Sequence, residues 1–409
     1  MIARGALTSL LLGALAVTAA AGNAADTAPS PTPALQIVYL TKEDPTTPRG
    51  SLMDPVVGDY GWQGARFGIE ELNASGRFLG KRYDLIKLSV SSSGDVQAAA
   101  RDALAAGHAL IVADLKAPDL LAVADLPQAR QALLLDARSS DDALRQADCR
   151  GNVFHLLPNW AMRADAIGQY LARRHWTRWF LLTGTSVDDH AYADAIERSA
   201  ARVGAHIVVK KSFQVNGIGD SAEEHEQIQA RIPTLTHVAI AYDVLIVADT
   251  ADAFGDYLLF HTFDPRLVAG THGLRAVAWD SDFREYAARG VQYRFHLLSS
   301  RDMTERDYGN WLATAIIGDA VTRGGVSDAP SIRAYLLSKN FSMAAFKGEG
   351  LSFRPWDLQL RQPLLLFGSR ALVSMWPLGD SGQISLQTDA IGYGAKESRC
   401  RMTGGHHEP

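Results

Sequence analysis

Residues 83–113 read YDLIKLSVSSSGDVQAAARDALAAGHALIVA, and they indicate the class of fold that this chain adopts. An apolar run over residues 83–89 is typical of a strand. A helix can begin at residues 93–95, and a second apolar strand follows over residues 109–113. Two strands joined by a helix of about ten residues are typical of a parallel pair, because a parallel pair needs a long crossover connection.

The same alternation continues through the following residues. Further strands are predicted over residues 36–40, 133–135, 153–156, 179–182, 206–213 and 244–248, and further helices over residues 59–75, 161–174, 190–203 and 222–231. This pattern predicts the α/β class, with parallel sheets covered by helices on both faces. One sheet of about a dozen strands would be too large for an ordinary domain, so we expect two sheets. Ligands of such sheets bind beyond the carboxyl ends of the strands, and candidate site residues therefore follow each strand directly.

The composition is that of an ordinary globular protein. The chain has 409 residues, of which 47% are hydrophobic and 21% charged, and 40 basic residues face 45 acidic ones for a net charge of −5. These values exclude the disordered, collagen-like and disulfide-rich classes. A weakly acidic chain without a basic block has no electrostatic attraction to nucleic acid, so we expect no nucleic-acid partner.

The N-terminus predicts export. Arg4 precedes the apolar run ALTSLLLGALAVTAAA at residues 6–21, and small residues follow at 22–25. We interpret residues 1–25 as a cleaved signal peptide and residues 26–34 as a flexible leader. The alternative is a membrane anchor, but the run is shorter than the roughly 20 residues that span a bilayer. We therefore expect a protein of the bacterial periplasm, not inserted in the membrane after cleavage.

The chain has only two cysteines, Cys149 and Cys400. An oxidising compartment such as the periplasm favours a disulfide between them if the fold brings them together. The alternative is two thiols that do not pair.

Sequence signatures of enzymes are absent from the strand ends. No nucleotide-binding P-loop, no dinucleotide-binding glycine turn and no nucleophile elbow follows a strand. Acidic groups do occur in three clusters, which are Asp188-Asp189-His190, Asp249 with Asp252 and Asp256, and Asp280 with Asp282. Each cluster precedes a helical segment, where carboxylates cap free backbone N–H groups. We expect no catalytic residue, no metal site and no cofactor, with a hydrolytic or metal-dependent enzyme as the competing hypothesis.

The residues at the strand ends predict a small-molecule site instead. They combine aromatic, cationic, hydroxyl and acidic groups, a mixture typical of ligand clefts. The candidates in the first half of the chain are Tyr60, Trp62, Lys116, Arg138, Ser139 and Ser140, and those in the second half are Asp189, Asp249, Thr250, Trp279 and Asp280. The alternatives are core packing for the aromatic candidates near residue 60 and an ordinary surface charge for Lys116 and Arg138.

Residues 59–80, DYGWQGARFGIEELNASGRFLG, resemble the N-terminal lobe of type I periplasmic binding proteins of the branched-chain amino acid group. That group has a Tyr-Gly pair, a helix that ends in Asn-x-x-Gly-Gly, and Ile-x-Gly before the next strand. Gly76 and Gly80 keep the ends of this pattern. The resemblance implies two Rossmann-like lobes joined by a three-stranded hinge, a ligand held between them, and an ABC permease as partner of a monomeric binding protein.

A narrower resemblance comes from residues 242–255, YDVLIVADTADAFG, together with residues 263–266 and 346–363. These segments are similar to binding-protein-like components associated with PQQ-dependent alcohol dehydrogenase systems. The resemblance implies a role beside periplasmic alcohol oxidation. That role is either transport of a solute or ligand sensing by an accessory protein without a transport function.

The family's lobe plan implies that the chain crosses between the lobes three times. We expect crossings near Leu157, Leu298 and Phe346. Lobe one then comprises residues 35–156 and 299–345, and lobe two comprises residues 157–298 and 346–398. A C-terminal tail follows at residues 399–409.

The resemblance also indicates how the ligand shell differs from that of the amino-acid binders. Ser140 falls on a hydroxyl-bearing position, but Leu115-Lys116-Ala117 replaces the usual run of Ser and Thr that holds an α-carboxylate. Asp280 corresponds to the acidic partner of the ligand's ammonium group and is one methylene shorter. An ordinary branched-chain amino acid is therefore not the expected ligand.

A carboxylate could still be held by Lys116 or Arg138, because either would supply a charged hydrogen-bond donor. Tyr60, Trp62 and Trp279 could then flank an apolar body. We therefore expect a small organic acid, or an aromatic or quinone-like acid.

Overall fold

The computed structural model of the chain describes residues 34–44, 57–214, 222–377 and 388–402. The predicted signal peptide, most of the predicted leader and the end of the predicted tail lie outside these residues. No helix in the described part of the chain has the length and apolar character needed to cross a membrane.

The described residues alternate between strands and helices along most of the chain. The strands are β1 (Leu35–Lys42), β2 (Tyr83–Val90), β3 (Leu110–Asp114), β4 (Leu133–Asp136), β5 (Val153–His155), β6 (Arg178–Thr183), β7 (His206–Ser212), β8 (Val244–Ala248), β9 (Leu267–Gly270), β10 (Leu274–Val277), β11 (Met343–Ala344), β12 (Gly350–Phe353), β13 (Leu360–Arg361), β14 (Leu364–Gly368) and β15 (Ala371–Trp376). The helices are α1 (Trp62–Leu79), α2 (Val96–Ala105), α3 (Ala117–Ala124), α4 (Trp160–Arg173), α5 (Val187–Val203), α6 (Ala222–Thr236), α7 (Gly255–His261), α8 (Ala288–Ser299), α9 (Glu305–Thr322) and α10 (Ala329–Leu336).

The first lobe is built on a parallel sheet with the strand order β2-β1-β3-β4-β5. Every residue of β3 and β4 is buried, because helices cover both faces of the sheet. The predicted α/β class with parallel pairing is confirmed here.

The second lobe has a mixed sheet with the order β15-β14-β10-β9-β8-β6-β7. The strands from β6 to β10 pair in parallel, whereas β14 and β15 are antiparallel to their neighbours. The short connection between β14 and β15 allows only an antiparallel hairpin, since a parallel pair would need a crossover. The two-lobe fold is therefore confirmed, and its second sheet carries an antiparallel edge that the sequence pattern did not predict.

Helix α1 packs unusually close to α9 because it has glycine at two contact positions. A Cβ atom on Gly64 would lie 2.0 Å from the carbonyl oxygen of Asp307, and one on Gly68 would lie 1.9 Å from Thr314 Oγ1. The glycines of this segment thus serve helix packing, and α9 is held against the start of α1.

The chain returns to the first lobe earlier than the sequence implied. We expected the second crossing near Leu298, at the end of α8. The ring of Phe295 in α8 instead packs edge-on against Phe67 of α1 at 5.7 Å, and Arg294 forms an ion pair with Glu71 of α1 at 2.6 Å. Helix α8 therefore belongs to the first lobe, and the crossing lies between β10 and α8.

The third crossing comes later than Phe346, where we placed it. Phe346 packs against the ring of Trp311 of α9, and β11, β12 and β13 form a small antiparallel sheet that follows α10. The Gln359 side chain then donates to the carbonyl oxygen of Leu157 on the first crossing at 3.1 Å, and Gln362 donates to that of Leu156 at 2.6 Å. The first and third crossing segments are thus hydrogen-bonded side by side.

The C-terminal segment contacts both lobes. Arg198 and Arg202 of α5 donate to the carbonyl oxygen of Gly392 at 2.8 and 2.7 Å. A disulfide joins Cys400 to Cys149 in the loop between β4 and β5 of the first lobe. Residues 399–402 are therefore attached to the first lobe and are not a free tail.

Lys347 is an unusual buried charge beside the second crossing. Its side chain is enclosed by aromatic rings, including that of Tyr308 at 5.2 Å, and Nζ donates to the carbonyl oxygen of Ala278. Burial lowers the pKa of Lys347 from 10.5 to about 7, although the charge of Glu305 acts in the opposite direction.

We expect the stability of the protein to rise between about pH 7 and pH 10. In this range the unfolded chain holds a proton on Lys347 that the folded chain releases, and unfolding therefore becomes less favourable as the pH increases. Lys347→Met should remove this dependence and stabilise the protein at pH 7 by about 1–3 kcal/mol. Urea unfolding at several pH values checks this, with the exposed Lys339→Met as control. A flat or falling profile in the unmodified protein would contradict it.

Candidate functional site

A cavity of about 300 Å³ lies between the two lobes. Its lining includes Arg138 and Ser140 from the loop after β4, and Asp249 and Thr250 from the end of β8. The site is therefore at the carboxyl ends of the parallel strands, where open α/β sheets bind their ligands. These four residues are candidates that the sequence indicated.

The loop after β4 is held in place by a buried carboxylate. Asp136 Oδ1 accepts hydrogen bonds from the backbone N–H groups of Arg138 at 3.2 Å and Ser139 at 2.9 Å, and Oδ2 accepts from His155 Nδ1 at 2.8 Å. Burial acts to raise the pKa of Asp136, but the bond from His155 and the charge of Arg145 hold it below the ordinary value. Asp136 thus stays ionised and fixes the conformation of the loop.

Arg138 and Lys116 converge on one carboxylate, Asp44. Arg138 Nη2 lies 2.8 and 2.5 Å from the two oxygens of Asp44, and Lys116 Nζ lies 2.9 Å from one of them. Arg138 also lines the cavity, whereas Lys116 is half-exposed and does not. Of the two cations proposed for a ligand carboxylate, only Arg138 is placed at the cavity.

Asp189 supports the second lobe's side of the cavity without lining the cavity itself. It closes the capping box of α5 with Ser186, and its Oδ1 accepts from the backbone N–H and the hydroxyl of Thr250 at 2.6 and 2.7 Å. Asp189 is buried and is not among the lining residues. Its role in the structure is to position Thr250, as the capping alternative implied.

Asp249 lines the cavity, but its carboxylate already accepts hydrogen bonds from backbone groups. Its oxygens accept from the N–H groups of Ala253, Phe254 and Gly255 at 3.0, 2.8 and 2.7 Å. Burial raises the pKa of Asp249, and the nearby His272 partly offsets this. The carboxylate therefore shapes the turn into α7.

Two aromatic residues that the sequence analysis missed form a wall of the cavity. Trp160 begins α4 directly after the first crossing, and its ring lies 5.4 Å from that of Tyr192 in α5. Asn159 caps this helix through a bond from the N–H of Met162 at 3.0 Å. The sequence did contain a signal for this wall, namely the Asn159-Trp160 pair at the start of the helix that follows the first crossing.

An ion pair joins the lobes across the cavity. Arg163 of α4 donates through Nη2 to Glu305 Oε2 at 3.0 Å, and Glu305 begins α9 in the first lobe. Arg163 Nη1 also donates to the carbonyl oxygen of Ala276 in β10 at 2.9 Å. The next residue, Arg306, donates to Asp114 at the end of β3 at 2.7 Å. Arg163, Glu305 and Arg306 line the cavity, whereas Asp114 does not. The three lining residues were missed because the candidates were sought only directly after a strand, and these residues lie within the first turns of α4 and α9.

The remaining candidates lie outside the cavity lining. Trp62 is 5.4 Å from the ring of Tyr39 and has Lys87 Nζ 4.7 Å from its centre, at the edge of the first sheet. Tyr60 lies under the guanidinium of Arg301 at 5.7 Å. The core-packing alternative thus describes Trp62, which packs against the core of the first lobe, whereas Tyr60 is half-buried outside that core.

Trp279, Asp280 and Ser139 are also placed away from the cavity lining. Trp279 is buried and stacks on Tyr308 at 4.6 Å. Asp280 accepts from Arg275, a lining residue, at 2.8 Å. Ser139 is buried in the loop that Asp136 holds. Asp280 and Ser139 are thus one layer behind the cavity surface.

Metal-ligating groups do not cluster in the part of the chain that the structure describes: no set of three or more His, Cys, Asp or Glu side chains is arranged to hold an ion. His272 contacts Asp252 at 3.1 Å and Asp256 at 3.6 Å at the cavity margin. These contacts raise the pKa of His272 despite its burial.

The sequence matches the periplasmic binding protein family over residues 46–369. The chain belongs to that family. The matched residues include parts of both lobes and all three crossings, and they leave out β1 and β15. Proteins of this family bind solutes without converting them, which agrees with the expectation of a non-catalytic protein.

Solved structures of binding proteins share this fold. A branched-chain amino acid ABC transporter ligand-binding protein from Burkholderia xenovorans LB400 aligns with a TM-score of 0.68 at 16% identity, covering 90% of this chain and 99% of that chain. A leucine-, isoleucine-, valine-, threonine- and alanine-binding protein from Brucella ovis aligns with 0.64 at 15% identity, covering 91% and 100%. An ABC transporter solute-binding protein from R. palustris, in complex with benzoate, aligns with 0.61 at 12% identity, covering 90% and 100%. Curated proteins give no match.

Proposed function

We propose that this binding protein is the periplasmic component of an ABC-type transporter and captures a small organic ligand between its lobes. The observation that carries the proposal is the cavity, whose walls come from both lobes and are joined by the Arg163 to Glu305 ion pair. A ligand that contacts both walls binds the closed arrangement better than the open one, and so shifts the population towards closure. A permease could then recognise the closed shape.

The ligand class that the cavity supports best is a small organic acid with an aromatic or otherwise flat body. Four of the described lining residues are arginines (Arg138, Arg163, Arg275, Arg306), against three carboxylates (Asp249, Asp252, Glu305). Trp160 and Tyr192 add aromatic surface. A cavity of about 300 Å³ is at the small end of the range for ligand sites, and this favours a compact molecule.

We further propose that the solute belongs to periplasmic alcohol oxidation by PQQ-dependent enzymes. The support is the similarity of residues 242–255 and 346–363 to components associated with such systems. An accessory protein that senses a ligand for the dehydrogenase system is the second candidate. Deletion of the gene separates the two, because loss of uptake of the bound solute indicates transport, whereas unchanged uptake with altered alcohol oxidation indicates sensing.

The test of binding starts with mass spectrometry of any molecule that co-purifies with the protein. Thermal-shift measurements with alcohols, their acids and PQQ follow. A ligand at 100 times its dissociation constant should stabilise the protein by about 2.7 kcal/mol. Small-angle X-ray scattering should show a smaller radius of gyration in the presence of that ligand. If no solute stabilises the protein or changes its dimensions, the proposed function is wrong.

Substitution of the aromatic wall tests the position of the site. We expect Trp160→Ala to weaken binding of the identified solute by about 10- to 100-fold, because the ring contributes both buried area and a stacking surface. Trp62→Ala is the matched control, since Trp62 lies outside the cavity lining. Isothermal titration calorimetry measures both. A larger loss of affinity for Trp62→Ala would instead place the site near Trp62, as the sequence first suggested.

A further inference from the structure

We infer that Arg163 anchors the carboxylate of the ligand, and that the same site disfavours an acid with an ammonium group on the adjacent carbon. The inference rests on the proposed function, since it concerns the ligand of the same cavity.

Arg163 has a buried donor with no acceptor. Its side chain lines the cavity and is 11% exposed. Nη1 and Nη2 donate to Ala276 and Glu305, but Nε is buried and has no hydrogen-bond partner among the described residues. A buried donor without a partner costs free energy, and an acceptor on a ligand that enters before the lobes close would remove that cost. A carboxylate is the acceptor that matches a guanidinium best in geometry and charge.

The guanidinium is held in one orientation by both lobes. The bond to Ala276 comes from β10 of the second lobe, and the bond to Glu305 comes from the start of α9 in the first lobe. Glu305 is itself fixed by the backbone N–H of Ala278 on the second crossing. The complete arrangement around Arg163 therefore exists only when the lobes are together, so an acid bound to Arg163 would favour the closed form.

The carboxylates of the cavity are already engaged and are poor partners for an ammonium group. Asp249 accepts three backbone N–H groups, and Glu305 accepts from Arg163 and Ala278. Asp252 pairs with His272 at 3.1 Å. An ammonium group would have to share these carboxylates with partners that already partly neutralise or engage them, while the arginines of the lining would repel it. The lining thus favours a simple carboxylate over an amino acid.

The aromatic wall lies next to the proposed anchor. The guanidinium carbon of Arg163 is 5.8 Å from the centre of the Trp160 ring, and Trp160 contacts Tyr192. A ligand whose carboxylate meets Arg163 would therefore place its body against the Trp160 and Tyr192 rings. Benzoate is a suitable probe, because it combines a carboxylate with a flat apolar ring and is small enough for the cavity.

Three probes that each carry one phenyl ring test the selectivity in calorimetric titrations of the unmodified protein. They are benzoate, the neutral benzamide and L-phenylglycine, which carries the ammonium group. We expect benzoate to bind at least tenfold more tightly than either of the other two. Equal or tighter binding of benzamide or L-phenylglycine would overturn the inference.

Variants separate anchoring of the ligand from bridging of the lobes. We expect Arg163→Gln to weaken benzoate binding by about 10- to 100-fold, the effect of losing charged hydrogen bonds. Glu305→Gln removes the charge of the same interlobe ion pair but keeps the guanidinium, so it should weaken benzoate binding clearly less than Arg163→Gln does. If Arg163 only bridges the lobes, both variants will lose affinity equally, and that result would overturn the inference. Arg173→Gln, on the exposed end of the same helix, is the control for changes in helix charge.

The outcome for other solutes distinguishes the two proposals. If benzoate does not bind but another solute closes the lobes, the inference about Arg163 is wrong and the binding function stands. If no solute binds or closes the lobes, both are wrong. Loss of benzoate binding in Arg163→Gln, with the unfolding midpoint unchanged, supports both.

Discussion

Replacing Cys149 and Cys400 by serine is expected to lower the free energy of unfolding by about 2–5 kcal/mol. The disulfide joins residues 251 positions apart, and it constrains the unfolded chain over the second lobe and over α8, α9 and α10 of the first lobe. It also attaches to the first lobe a C-terminal segment that α5 of the second lobe binds through Gly392. Its loss therefore removes both a restriction on the unfolded state and a connection between the lobes.

Urea unfolding of the double variant, with and without reductant, measures this effect. The unmodified protein in reductant should unfold at the same urea concentration as the variant, and reductant should not affect the variant itself. An unchanged midpoint in the variant would show that the contacts of residues 388–402 hold the segment without the covalent bond.

Asp136→Ala is expected to destabilise the protein by about 3–5 kcal/mol and to abolish ligand binding at the cavity. The substitution leaves the buried Arg145, 3.6 Å from Asp136, without its nearest carboxylate. It also releases the N–H groups of Arg138 and Ser139, which hold the loop that carries Arg138 and Ser140 into the cavity lining. Stability and binding should therefore fall together.

Chemical unfolding and calorimetry of the same sample measure the two losses. Asp125→Ala is the matched control, because Asp125 pairs with Arg150 on the surface, where an ion pair contributes about 0–1 kcal/mol. A loss below 1 kcal/mol for Asp136→Ala would mean that Arg145 and His155 find other partners. Intact binding would show that the loop after β4 does not need its carboxylate support.

Parts of the fold that depend on local pattern were predictable. The strand expected over residues 109–113 is β3, and the helix expected to begin near Asp95 is α2, capped by the Asp95 side chain with the N–H of Ala98 at 3.1 Å. Both follow from residues that are neighbours in the chain. The placement of Arg138, Ser140, Asp249 and Thr250 at one cavity followed as well, since the ends of parallel strands meet at the same edge of a sheet.

The parts that were not predicted depend on how distant elements dock. Trp160, Arg163 and Tyr192 enter the cavity from helices, and Glu305 and Arg306 enter it from the start of α9, which the second crossing brings back to the first lobe. The position of that crossing depends on the fit of Phe295 to Phe67 across two distant helices. No local sequence pattern indicates that two side chains on distant helices will pack together in this way.

The sequence by itself therefore determined the α/β alternation, the two sheets and the sheet edge at which the cavity lies, because apolar periodicity and turn residues act within a few positions of the chain. The family was indicated separately, by the resemblance of residues 59–80 to known binding proteins. Only the tertiary structure decided which side chains line the cleft, where the chain crosses between the lobes, and that a buried arginine joins them. Those features arise from side-chain packing and ion pairs between residues far apart in sequence. The free energy of these contacts depends on how deeply the side chains are buried, and they become buried only once both lobes have folded against each other.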